Sequence, residues 1–280
     1  MGGMFDQVRD VDGGQAEVHR SGGTGWPGVR GKRVLVTGGS RGLGEQIVRL
    51  LAAEGAQVAT CARSPHGLAE LARSLETPLF TQPLDITEPE RLEAFVAASA
   101  KRFGGLDGVV ACTGGSRGGA FEESRAADWA ATWEVNVGHT VRLVRAALPH
   151  LRAAGGGSVV VISSISGWKP GPPVQYGVAK SAQIHLAASL ARELGPDRIR
   201  VNAVSPGSML IPDRRWERMR REDPEAFAAF VGAELPGGQT VAPQEVARVV
   251  AFLLSDWSSG ISGAHLPVDR AQNAPSPDGY

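Results

Sequence analysis

Charge of one sign is in no excess in this chain: 29 Lys and Arg balance 29 Asp and Glu, for a formal net charge of zero. A nucleic-acid-binding domain normally carries a basic surplus that neutralises phosphates, so that class of partner is not expected. Long apolar runs are missing as well. No stretch approaches the roughly 18 apolar residues of a membrane-spanning helix, and no membrane partner is expected. Cysteine occurs only twice, as Cys61 and Cys112, each in an apolar strand-like segment without Cys-x-x-Cys or Cys/His ligand spacing. Buried free thiols and a reducing, cytoplasmic setting follow as expectations. His139, His185 and the other His residues show no metal-ligand arrangement, and no metal is expected. Two scarcities bear on chemistry: Tyr occurs twice (Tyr176, Tyr280) and Lys four times (Lys32, Lys101, Lys169, Lys180).

What is present is a globular composition, 42% hydrophobic and 21% charged, with 37 Gly and 18 Pro among 280 residues. Residues 1–31 are Gly-rich, lack apolar periodicity, and contain acids (Asp6, Asp10, Asp12, Glu17) that a transit peptide avoids, with no apolar stretch for a secretory signal. This segment reads as a mobile N-terminal tail, or alternatively a short arm ordering against a neighbouring subunit. From Lys32 onward, apolar runs alternate with segments of helical period. The spacing predicts helices near 66–75, 88–103, 127–152, 174–194 and 243–254, with strands near 57–62, 79–84, 106–112, 158–163, 198–203 and 264–268. Such alternation implies βαβ crossovers: an α/β fold with a single doubly wound parallel sheet of about seven strands and helices on both faces. We expect one Rossmann-type domain over 32–270, a lid-like irregular and helical segment at 208–240, and a C-terminal tail at 271–280.

Where the first strand gives way to the first helix stands Thr37-Gly38-Gly39-Ser40-Arg41-Gly42-Leu43-Gly44. Glycine there permits close backbone approach, and the helix N-terminus behind it offers free N–H groups to a pyrophosphate. The order of further features is distinctive: Asp85 after the third strand, Asn136, Ser164, Tyr176-Gly-Val-Ala-Lys180, and Ser205-Pro206-Gly207. This series resembles the short-chain dehydrogenase/reductase superfamily, in particular its 3-oxoacyl-carrier-protein-reductase-like members, over roughly residues 32–270. The resemblance implies an oxidoreductase with a nicotinamide cofactor. The cofactor would be held by Gly38, Ser40, Arg41, Gly42, Leu43, Gly44, Arg63, Asp85, Ile86, Thr113, Gly114, Tyr176, Lys180, Pro206 and Gly207. It also implies a small-molecule carbonyl or alcohol substrate and a homo-oligomer, dimer or tetramer.

The chemistry accounts for the residue types. Tyr176 and Lys180 lie one helical turn apart, and a nearby ammonium favours the phenolate of a group otherwise too weakly acidic at neutral pH. Tyr176 is then the general acid. Ser164, at the C-terminal end of an apolar strand, can polarise a carbonyl oxygen. Its neighbour Ser163 stands 13 residues before Tyr176, the commoner family separation, but Ser164 precedes Ser166-Gly167 as the family's catalytic Ser does, and is preferred. By resemblance, Asn136 helps hold a water that links Lys180 to solvent and relays the proton. The chain departs from the family where Asn-Asn-Ala-Gly is expected and Ala111-Cys112-Thr113-Gly114 stands. It departs again where a terminal Val-Asp-Gly-Gly reads Val268-Asp269-Arg270-Ala271, and where Ile211 replaces a frequent Thr after Pro206-Gly207. The first should alter bracing of the sheet centre while cofactor binding is retained.

These features together predict an NADPH-dependent carbonyl reductase. The alternatives are an NAD(P)-dependent alcohol dehydrogenase working oxidatively and, more distantly, a catalytically silent nucleotide-binding regulator. Between 213 and 225 five Arg and five acids cancel in charge, which reads as a solvated helix rather than an anion-binding lid. Trp168, Pro172, Pro173, Met209, Leu210, Trp216 and Phe227 are candidates for an apolar pocket. At the end of the second strand an acid would bind the ribose 2′-OH of NAD, whereas Arg accommodates a 2′-phosphate. Here Ala62 occupies that position and Arg63 follows, with Arg41 in the Gly-rich turn, so NADP(H) is the expected cofactor. Arg63→Asp should lower the NADPH/NADH ratio of kcat/KM by at least about tenfold, the scale of one charge-assisted contact. An unchanged ratio rejects this cofactor assignment.

Overall fold

The computed structural model describes residues 28–274. Seven strands form one parallel sheet in the order β3-β2-β1-β4-β5-β6-β7. They are β1 (Arg33–Thr37), β2 (Gln57–Ala62), β3 (Phe80–Pro83), β4 (Gly108–Ala111), β5 (Gly157–Ile162), β6 (Ile199–Pro206) and β7 (His265–Val268). Nine α-helices accompany them among the described residues: α1 (Gly42–Ala53), α2 (Pro65–Arg73), α3 (Pro89–Phe103), α4 (Ala126–Trp133), α5 (His139–Ala153), α6 (Val174–Leu194), α7 (Arg215–Glu222), α8 (Pro224–Glu234) and α9 (Pro243–Leu254).

Both faces of the sheet are apolar because side chains alternate and each face is covered. Leu35, Val109, Val159 and Val201 pack against Phe95 of α3, Leu143 of α5 and Ala187 of α6. On the opposite face Val34, Val36, Val160 and Val204 meet Ile47 and Leu51 of α1 and Val246 and Val250 of α9. Strand order reverses direction between β1 and β4, which are hydrogen-bonded neighbours although β2 and β3 intervene in sequence. A crevice at the carboxyl ends of the strands is expected at such a switch point.

Three local expectations are corrected. The helix expected over 127–152 is α4 and α5 joined by a π-helical turn, Glu134–Gly138. At its centre the Asn136 side chain donates to the Thr132 carbonyl at 2.7 Å and to the Gly115 carbonyl at 2.7 Å. A side chain competing for a ladder carbonyl is a physical reason for the wider turn. The boundaries of the domain also move outward. Val29 is buried and the Gly31 amide donates to Gly55, while residues 1–27 of the expected N-terminal tail lie outside the described residues. At the other end, residues 271–274 are not tail. Gln272 is buried, accepts from the Ser208 amide at 2.8 Å and donates to the Ser208 hydroxyl at 2.9 Å.

This C-terminal clip keeps a glycine-type backbone without glycine. Arg270 and Ala271 have φ of 52° and 66°, the left-handed region, where the family sequence has Gly-Gly. A Cβ there costs about 1–2 kcal/mol. The Asp269 carboxylate offsets the cost by accepting from the amides of Ala271 and Asn273, both at 3.1 Å, and Arg270 pairs with Glu245 at 2.7 Å. Ala271→Gly should therefore raise unfolding stability by about 0.5–1 kcal/mol in denaturant titration. A loss of stability would show that the Asp269 bonds leave no strain to relieve.

Candidate active site

The seven parallel strands end at one edge of the sheet, and every residue expected at the site lies at or after the end of one of β1 to β6 or on the helical segment that leads from it. After β1, the amides of Gly38 and Gly39 donate to the Cys61 carbonyl at 2.8 and 3.3 Å. A Cβ at Gly44 would lie 2.2 Å from the Gly38 carbonyl oxygen, so the helix start can approach the turn only as glycine. The N-terminus of α1, at Arg41, has no side-chain cap. Its first N–H groups thus face the crevice without a side-chain partner, which fits a pyrophosphate. The Thr113 hydroxyl after β4 is buried with no hydrogen-bond partner, a second group that fits a bound polar ligand. The expected loss of bracing at Ala111-Cys112 is met by Thr37, whose hydroxyl accepts from the amides of Cys112 at 3.0 Å and Thr113 at 3.4 Å.

Arg63 follows β2 and is exposed, as is Arg41. Ser64 caps α2 by accepting from the Gly67 amide at 3.1 Å, and a Cβ on Gly67 would lie 3.2 Å from the Ser40 side chain, which brings α2 against the Gly-rich turn. Burial works against ionisation of Asp85, yet the Thr87 amide and hydroxyl, with Arg63 and Arg117, hold it below the ordinary carboxylate range. Ile86 beside it is buried. Ile211 packs over the turn, 3.0 Å from where a Gly42 Cβ would be. At the end of β6, Pro206 and Gly207 lie under the C-terminal clip, with a Gly207 Cβ position 2.8 Å from Asp269.

After β5 the two serines diverge. Ser163 is buried and donates to the Lys180 carbonyl at 2.8 Å. Ser164 is partly exposed, and its hydroxyl accepts from the Ser166 amide at 3.1 Å and lies near enough to act on the Tyr176 phenol. Burial pushes the Tyr176 phenol up, while Ser164 and the more distant Arg214 act downward. Lys180 lies 5.5 Å from the centroid of the Tyr176 ring. Burial pushes its ammonium down to about 7. Both Asn136 and Lys180 flank Gly114: a Cβ there would be 2.7 Å from Asn136 Oδ1 and 3.0 Å from Lys180 Nζ. A feature missed in the sequence is Gln183, fully buried, which accepts from Lys180 Nζ at 2.8 Å. Its signal was a polar residue one turn beyond Lys180 on the inward face of α6.

The segment 208–240 contains the helix pair α7–α8. Trp216 stacks on Phe230 at 3.9 Å, so it packs within the pair, and Phe227 sits 6.2 Å from Phe230. Trp168 is exposed and meets His265 edge-on. A cleft of about 470 Å³ between the pair's approach segment and α1 is lined by Arg41, Gly42, Leu210 and Ile211, and so continues the Gly-rich turn. No helix among the described residues is long and apolar enough to cross a membrane, and no cluster of His, Cys, Asp or Glu among them could hold a metal ion.

Residues 38–270 match the family model described as Enoyl-(Acyl carrier protein) reductase. The chain is 33% identical over 250 residues to isoepoxydon dehydrogenase of Penicillium expansum, covering 86% of this chain and 95% of that one. It is 30% identical to the 3-oxoacyl-[acyl-carrier-protein] reductase of Thermotoga maritima, over 86% and 97% of the two chains. Among solved structures, L-sorbose reductase from Gluconobacter frateurii complexed with NADPH and L-sorbose superposes with a TM-score of 0.83 at 30% identity, covering 89% and 99% of the chains.

The divergence of the two serines gives a direct test. Ser164→Ala should lower turnover by about 100-fold or more, as for removal of a donor to a developing oxyanion. Ser163→Ala should act mainly on stability, by about 1 kcal/mol for one lost hydrogen bond. The reverse pattern would transfer the role to Ser163.

Proposed function

The chain belongs to the short-chain dehydrogenase/reductase superfamily, and from that premise we propose that it is an NADPH-dependent reductase of a ketone or aldehyde. The observation that carries the reductive direction is the Tyr176 phenol, which burial keeps protonated at neutral pH with Ser164 beside it. A protonated phenol is the form that gives a proton to a carbonyl oxygen. Ser164 donates a hydrogen bond to that oxygen as negative charge develops, and Tyr176 delivers the proton. The reduced nicotinamide, when bound, supplies the hydride. Lys180 bonds the ribose hydroxyls and holds positive charge beside Tyr176, and Asn136 supports this relay from the π-helical turn. With this Ser, Tyr and Lys set whole, a silent regulator has no sequence feature in its favour.

The NADP(H) reading rests on charge. Arg41, Arg63 and Arg117 all act on Arg214, whose guanidinium is pushed down first by burial and then by these like charges. Among the described residues none of the four forms an ion pair with a carboxylate. Asp85 takes up part of this charge through Arg63 and Arg117, and the remaining positive excess favours a ligand bearing several phosphates. Arg63 and Arg41 are assigned to the 2′-phosphate, with Ser40 and Ser64 beside them. A cytoplasmic homo-oligomer completes the reading, with Trp133, Val141, Val174 and Val178 as exposed apolar side chains on α4, α5 and α6 suited to a subunit contact.

NADPH consumption over a panel of ketones and aldehydes should reveal turnover, and Tyr176→Phe should reduce it by at least about 100-fold. Absence of turnover on every carbonyl, together with absence of NADPH binding, would reject the reading.

A further inference from the structure

Lys180 has three N–H donors. One goes to the Ile162 carbonyl at 2.8 Å and one to Gln183 Oε1 at 2.8 Å, which leaves one for the cleft. Both donors of Gln183 Nε2 are also spent, on the Asn136 carbonyl at 3.0 Å and the Thr140 hydroxyl at 3.0 Å. The same Asn136 carbonyl accepts from the Thr140 hydroxyl at 2.7 Å, so two side-chain donors already occupy it. The Asn136 amide nitrogen is saturated by Gly115 and Thr132. A water linking Lys180 to Asn136 therefore finds its place taken by a side chain and its acceptor filled. Lys180, Gln183, Asn136 and Thr140 are all buried.

We propose that Gln183 replaces that water: it is a positioning residue that fixes the Lys180 ammonium beneath Tyr176 and ties it to the Asn136 carbonyl through its own carboxamide. The catalytic consequence rests on the reductase reading above; the placement of the ammonium does not. The titratable groups that face Lys180 are Tyr176 on α6, Cys112 after β4 and His139 at the start of α5, while Arg214 faces Tyr176 from the approach to α7. Burial pushes His139 down to about 3 and Cys112 up to about 12, so both are uncharged near neutrality. Lys180, at about 7, is the member of this group that changes charge there. Its bond to Gln183 Oε1 stabilises the charged form.

Two measurements test this. With only four Lys in the chain, lysine-selective isotope labelling gives a sparse NMR spectrum in which Lys180 is assigned by its loss in Lys180→Arg. Gln183→Met, which keeps side-chain length but not the acceptor, should lower the Lys180 titration midpoint by about one pH unit. Gln183→Glu should raise it by about one unit or more. This readout needs neither cofactor nor turnover, so its failure is separate from failure of the reductase reading. The second measurement is kcat. Gln183→Ala opens a space bordered by three polar groups, Lys180 Nζ, the Asn136 carbonyl and the Thr140 hydroxyl, enough to hold a water. It should retain more activity than Gln183→Met, which should lose roughly tenfold. A packing role alone predicts the opposite order, because Ala leaves the larger void. Midpoints unmoved in Met and Glu, or Met outperforming Ala, would overturn the proposal. If Gln183→Met does not fold, the isosteric Gln183→Glu titration decides alone.

Discussion

The burial of one ammonium organises this site. Taking Lys180 out of water costs several kcal/mol unless fixed dipoles replace its hydration. Here the replacements come from two separate elements, the last carbonyl of β5 and a side chain one turn along α6. Each is itself held. Ile162 ends a strand paired along its length with β6, and Gln183 is anchored on the π-helical turn. The charge is thus fixed relative to the sheet and to α5 at once, and Tyr176 inherits that position because it lies one turn back on the same helix. A substitution that loosened either anchor would move the ammonium away from the phenol without touching either group.

The π-helical turn acquires its meaning from the same constraint. Within this turn the Asn136 side chain meets Gly115 and Thr132 while its own carbonyl receives both Thr140 and Gln183. One residue therefore braces the Gly114–Gly115 loop on one side and the chain behind Lys180 on the other. That loop passes so close to Lys180 and Asn136 that a Cβ at 114 would have to displace the Asn136 carboxamide or the ammonium. Sheet edge, loop and helix are locked together by polar contacts, with apolar packing confined to the two faces below.

Much of this was legible in the sequence. Apolar alternation located the sheet, and the ends of α6 and α9 fall where the periodicity stops, because Gly195 and Ser255 follow apolar helical faces there. Tyr176 and Lys180 were marked by their spacing and by the rarity of both residue types. The π-helical turn was not legible, since residues 127–152 keep a helical apolar period throughout and only hydrogen-bond geometry reveals the wider turn. Ser164 is preferred over Ser163 in the sequence because of the Ser166-Gly167 that follows it, and what the sequence does not express is that Ser163 is spent on the Lys180 carbonyl while Ser164 is partly exposed. Gln183 escaped notice because one polar residue in a helix reads as solvated until the burial of its face is known.

The departures from the family pattern show how such a site tolerates substitution. Side-chain amides are lost at Ala111-Cys112, yet the Thr37 hydroxyl reaches across from β1 to the backbone amides of Cys112 and Thr113. Glycines are lost at Arg270-Ala271, yet the Asp269 carboxylate and the Arg270–Glu245 pair hold the left-handed backbone. The supporting groups lie on the paired strand in the first case, and beside the change and on α9 in the second. The position of the backbone at the sheet's carboxyl edge is what these contacts hold, because a dinucleotide cradle is built mainly from main-chain atoms. Side chains that support that backbone can be exchanged for others of different chemistry, provided the amides and carbonyls they hold do not move. Gln183 extends this rule inward, with a carboxamide standing where resemblance places a water.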